Sequence, residues 1–132
     1  MHFRTLPFFV VVAAIASGTN AFATVAEDNW QKFVQDAIEA ASASDLPKAE
    51  QLFVKATQQA DQFGRDDPRV GTTYNGLGLV YLEEKKYTEA GKAFQKALEI
   101  LQKVYGADSL DAGNVNFNLA SVALRIFWET RS

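Results

Sequence analysis

Two unrelated segments of this chain each return after nearly the same interval. Leu52-Phe53-Val54-Lys55-Ala56 aligns with Ala93-Phe94-Gln95-Lys96-Ala97 at 41 residues, and Ala49 precedes the first block as Ala90 precedes the second. Leu77-Gly78-x-Val80-x-Leu82 returns as Leu119-Ala120-x-Val122-x-Leu124 at 42 residues. Agreement between independent segments means tandem units, and such units bury their apolar faces only by stacking on one another.

Inside each unit the apolar spacing is that of a helix. Trp30, Phe33, Val34, Ala37, Ile38 and Ala41 follow the i, i+3, i+4, i+7 series of one face. Leu46, Ala49, Phe53, Ala56, Ala60 and Phe63 do the same for the next segment. The breaks carry the chemistry of helix ends. Ser44 or Asp45 is placed to cap a helix with Pro47 in its first turn. Gly64 and Gly106 suit the left-handed position after a helix, and Asp67-Pro68 and Asp108-Ser109 start the next one. The pattern predicts an all-α chain of five helices near 26–43, 46–63, 69–85, 88–105 and 110–128. Loops this short allow only antiparallel neighbours.

The first 23 residues have a different character. Met1–Arg4 is a short basic start, Leu6–Ala16 is an uncharged apolar run interrupted by Pro7, and Ala21-Phe22-Ala23 fits the A-x-A cleavage pattern. The run of 11 residues is short for a membrane span, which needs about 20. Residues 1–23 therefore read as a cleaved signal peptide, and residues 24–132 as the helical domain. The mature chain is expected to be exported (periplasmic, lumenal or extracellular) with no stable membrane span.

That reading bears on chemistry. The one histidine, His2, leaves with the leader, and the chain has no cysteine. A mature chain lacking both has lost the commonest general base, the commonest metal ligand and the thiolate nucleophile. No enzyme activity, cofactor or metal site is expected. The formal charge of −3 before cleavage, with both signs interspersed, excludes the basic footprint that nucleic-acid binding requires. Gly76-Leu77-Gly78 lies inside a helical pattern and follows no strand, so it is no nucleotide fingerprint. Asp61, Asp66 and Asp67 miss the alternating spacing of a calcium loop.

Tyr74-x-x-Leu77-Gly78-x-x-Tyr81 followed by Ala90-x-x-x-Phe94-x-x-Ala97 resembles the tetratricopeptide repeat, with Tyr in place of the usual first Trp. The long second helix, the run Ala97-Leu98-Glu99-Ile100 through Val104-Tyr105-Gly106 to Asp108, and Asn118-Leu119-Ala120 resemble the kinesin light chain-type subclass. The first unit is degenerate, with Asp36 where Leu is usual and Ala40 where Tyr is. The resemblance implies antiparallel helical hairpins stacked as a short right-handed solenoid of about two and a half repeats.

It also implies a function. In this family the first helix of each repeat lines a concave groove that holds a peptide or helix of a partner protein. The implied lining is Thr72, Asn75, Leu79 and Glu83 in the second repeat, and Asn114, Phe117, Asn118, Ser121 and Arg125 in the third. The first repeat offers Gln31, Val34, Ile38 and Ser42. Asn75 and Asn118 stand out, because an amide has both a donor and an acceptor for a peptide backbone. The partner itself is not specified. The third repeat supplies one helix whose tail, Leu124-Arg125-Ile126-Phe127-Trp128, is apolar where a terminal repeat is usually polar. Exposed apolar surface there is the basis of an alternative, a homotypic assembly protein that self-associates through this end.

Overall fold

The computed structural model describes residues 21–132, with side chains from residue 25 onward. The expected leader lies outside the described residues except for Ala21–Ala23, the first residues of the first helix. Five α-helices follow in order: α1 (Ala21–Ser42), α2 (Leu46–Ala60), α3 (Pro68–Glu83), α4 (Tyr87–Tyr105) and α5 (Leu110–Thr130). A short 3₁₀ turn, Asp61–Phe63, ends α2 where the sequence pattern predicts continuous helix. Among the described residues there is no strand.

The repeat is visible in the backbone. Ser44 and Lys85, 41 residues apart, are the two non-glycine residues with positive φ among the described residues, at 61° and 62°. Each is followed by an amide that reaches back five residues, Asp45 N to Ala40 O at 2.9 Å and Lys86 N to Tyr81 O at 2.8 Å. These are Schellman-type closures, which satisfy carbonyls at the helix end by passing one residue through the left-handed region. The glycines act differently from the sequence expectation. Gly64 and Gly106 have φ of 104° and 96° with ψ near 160°, beyond the left-handed helical well and open in practice only to glycine. They redirect the chain into the next repeat, while Ser44 and Lys85 make the tight turns within each hairpin.

Side-chain caps agree with the sequence. Asp45 accepts from Lys48 N at 3.3 Å, Asp67 from Arg69 N at 2.9 Å and Ser109 from Ala112 N at 3.2 Å. Pro47 and Pro68 sit in first turns, where a missing N–H costs nothing.

Three apolar clusters form one continuous core. Ala37, Ala40, Ala49, Phe53, Leu77 and Val80 join α1, α2 and α3. Leu82, Ala90, Phe94, Ala97, Leu101, Val115 and Val122 join α3, α4 and α5, and Tyr81 packs against both groups. Ala60, Val70 and Ile100 close the third, covered by Trp30, Phe63 and Tyr74. α3 is the central helix and contains the small residues that let its neighbours approach. A Cβ at Gly78 would lie 2.6 Å from the Phe94 ring, and one at Gly76 would lie 2.5 Å from the Phe53 ring. Phe53 and Phe94 are repeat equivalents, and each glycine makes room for an aromatic ring close against the α3 backbone.

A second set of bonds ties each repeat's first helix to the next. Trp30 Nε1 donates to the buried Thr73 Oγ1 at 2.8 Å, joining α1 to α3. Glu27 pairs with Arg69 at 3.0 Å, and the Arg69 guanidinium lies 3.7 Å from the Phe63 ring centre. Asn75 and Glu83 of α3 meet Asn118 and Arg125 of α5 at 2.9 and 3.3 Å. Each pair is separated by 42 or 43 residues, one repeat length.

Candidate interaction groove

Between α1 and α3 runs an open groove of about 510 Å³. Val34, Ile38, Ala41 and Ser42 form one wall, and Thr72, Asn75, Leu79 and Glu83 form the other. Leu46, Phe53, Gly76 and Val80 make up the rest of the lining. Helical periodicity explains the assembly: Val34, Ile38 and Ser42 are spaced by four, as are Asn75, Leu79 and Glu83, so each set forms a stripe along its helix. Ile38 and Leu79 remain 49% and 42% exposed. Two large aliphatic side chains left half in water within one concave surface are unusual in a helix face that nothing covers.

The polar groups are few and placed at the edges. Thr72 Oγ1 donates to its own helix at Pro68 O, 3.0 Å away. Asn75 Oδ1 accepts from Asn118 Nδ2, so the amide pair retains Asn75 Nδ2 as a donor and Asn118 Oδ1 as an acceptor. Glu83 is the single ionisable residue in the lining, and Arg125 pairs with it from α5.

The structure thus gathers seven of the sequence-derived positions: Val34, Ile38, Ser42, Thr72, Asn75, Leu79 and Glu83. Gln31 lies outside this groove, on the exposed side of α1. Of the α5 positions, Asn118 and Arg125 adjoin the α3 wall through their bonds to Asn75 and Glu83. Asn114 and Phe117 are exposed, and Ser121 Oγ donates within its own helix to Phe117 O at 3.0 Å. Sequence reasoning missed Ala41, Leu46, Phe53, Gly76 and Val80 as lining. Gly76 left a signal. A glycine within an apolar helical run marks a close approach, and here the absent side chain leaves Phe53 to form part of the lining.

Outside the groove, one charge cluster stands at the outer end of the hairpins. Lys86 Nζ lies 2.6 Å from Glu50 and 3.6 Å from Glu84. The Lys86 ammonium holds the Glu50 carboxyl below its ordinary range, whereas burial and the neighbouring Glu50 push Glu84 up. One oxygen of Glu84 is buried without a hydrogen-bond partner among the described residues.

Comparison with known proteins agrees with this architecture. No curated protein matches the chain. Residues 69–127 match the family model described as tetratricopeptide repeat. The match runs from the first turn of α3 through most of α5, and the α1–α2 hairpin outside it has the same turn geometry one period earlier. Over residues 69–127 the chain carries a tetratricopeptide repeat.

Proposed function

We propose that this chain is an exported interaction module whose α1–α3 groove holds an apolar peptide or helix of a partner protein. Tetratricopeptide repeats form protein-interaction modules, and the single observation that carries the finer reading is the half-exposed Ile38 and Leu79 in one concave surface. An aliphatic face seated between them would leave water, at about 25 cal/mol for each Å² of apolar surface removed. The Asn75–Asn118 amide pair offers a donor and an acceptor beside that seat, and Glu83 with Arg125 marks its end. Asn114, Phe117 and Ser121 lie along α5 at the open edge. The role is binding and not catalysis, because the chain left after Ala23 has neither His nor Cys.

The test is capture from extract of the source compartment, with the chain as bait beside an Ile38→Asp/Leu79→Asp variant. Both positions are exposed, so the variant is expected to keep its helical content. A protein held by the wild type and released by the variant supports the groove. Equal capture by both removes it. Export is tested separately, by the mass and N-terminal sequence of the secreted form, which is expected to begin at Thr24.

A further inference from the structure

α5 is apolar on two sides. Its inner side, Ala112, Val115, Leu119 and Val122, packs on α4 or the core beside it. The opposite side presents Leu110, Asn114, Phe117, Ser121, Leu124 and Trp128 at intervals of 4, 3, 4, 3 and 4 residues. That is the seam period of a helix that meets another helix along its length. Leu110, Phe117, Leu124 and Trp128 are 80%, 73%, 56% and 63% exposed. From Ala112 to Leu124 the helix has no charged residue, although most of these positions face water.

The place of this face in the repeat says what kind of surface it is. Phe117 stands in α5 where Asn75 stands in α3, one period of 42 residues earlier. In α3 that position meets the first helix of the following repeat, through Asn118. At Phe117, the α5 seam thus repeats the position by which α3 receives the next first helix.

We propose that a second copy of this chain covers it, with the two α5 helices antiparallel about a two-fold axis near Ser121. Charge selects this occupant and this direction. Asp111 at the start of α5 and Arg131 just past its end are both exposed, and neither forms an ion pair among the described residues. Antiparallel pairing brings Asp111 level with the Arg131 of the second copy, twice. The same register sets Phe117 beside Leu124 and Asn114 beside Trp128, with the small Ser121 at the crossing. A helix of 21 residues gives a seam of about 31 Å. Such an arrangement is closed, so it ends at two chains and does not grow into a filament. It uses the side of α5 away from α4, and shares Asn114, Phe117 and Ser121 with the open edge of the groove.

The experiment is light-scattering mass against concentration for the chain expressed from its full sequence and purified. The wild type is expected to pass from one chain to two as concentration rises. Leu124→Glu, at an exposed position and present twice in each pair, is expected to weaken pairing by more than about tenfold with an unchanged helical spectrum. Asp111→Arg or Arg131→Asp alone is expected to weaken it by a few fold, and the two together to recover it. A mass of one chain at every concentration overturns the proposal. So does pairing that survives Leu124→Glu, or a mass that climbs past two. If the paired charge swap fails to recover what each single swap loses, the antiparallel register is wrong.

Discussion

Asn118 of α5 donates through Nδ2 to Asn75 Oδ1 of α3 at 2.9 Å, making one polar unit from two residues 43 positions apart. A coupled pair behaves differently from two independent clamps. Asn75→Ala is expected to release Asn118 to water or to a new partner, so each single change already loses the shared geometry. The expected outcome is that Asn75→Ala and Asn118→Ala each weaken partner capture, and that the double variant is little worse than either. Stability should fall by only about 0.5–1.5 kcal/mol, the net worth of one part-buried hydrogen bond. Binding and urea titrations of the three variants check this; additive losses would mean the two amides act separately.

Gly78 touches Phe94 closely enough that even a methyl group collides. A Cβ there would lie 2.6 and 2.7 Å from two ring carbons, and Phe94 is fully buried, so the ring has nowhere to swing. Gly78→Ala is expected to destabilise by about 1–3 kcal/mol, and Gly78→Leu by more. This reverses the usual gain from replacing a helical glycine. An unchanged melting temperature for Gly78→Leu would remove the close α3–α4 crossing from the account.

Asp67 caps α3 and also grips Arg69, accepting from its backbone N and from its guanidinium at 2.7 and 2.9 Å. Hydrogen bonds from Arg69 hold the Asp67 carboxyl below its ordinary value. A depressed folded-state pKa contributes stability that is present above the unfolded value and lost as pH falls through the folded one. Asp67→Ala is therefore expected to cost about 1–2 kcal/mol at neutral pH. The gap between variant and wild type should begin to close below about pH 4. Denaturant unfolding at a series of pH values reads both the size and the sign.

Glu50 and Glu84 share Lys86 on unequal terms, and the two carboxyls are expected to respond in opposite directions to neutralisation. Burial raises Glu84, so its contribution is complete at low pH and declines as pH rises through its folded value. Glu84→Gln is expected to be neutral or slightly stabilising at neutral pH, the gain growing as pH rises. Glu50→Gln removes the main partner of Lys86 at 2.6 Å and is expected to destabilise, by less than about 1 kcal/mol for a pair this exposed. Thermal melts of the two variants across the pH range discriminate them.

Much of the architecture was legible in one dimension. The 41- and 42-residue periods, the i, i+3, i+4 apolar spacing and the caps at Asp45, Asp67 and Ser109 are all local or periodic signals, and they place five helices within a few residues of the observed ones. Gly78 and Ala90 are small where α3 and α4 meet, because excluded volume leaves its mark on residue size. The wall positions Thr72, Asn75, Leu79 and Glu83 were implied by the resemblance to the tetratricopeptide repeat.

What tertiary structure decided is how those stripes are partnered. No periodicity distinguishes a side chain that meets a neighbour one repeat away from one that meets water. The Asn75–Asn118 and Glu83–Arg125 bonds, the close approach of the Phe53 ring to Gly76, and the exposure of Phe117 beside the burial of Val115 all depend on the angle at which successive hairpins stack. The turns divided in the same way. Glycines were readable as punctuation, but the left-handed turns fell on Ser44 and Lys85, where closure of the hairpin by packed helices holds a backbone conformation that neither residue prefers by itself. Sequence by itself determined the helices, their ends and the repeat; the stacking of one unit on the next determined which face became core, which became groove and which was left open.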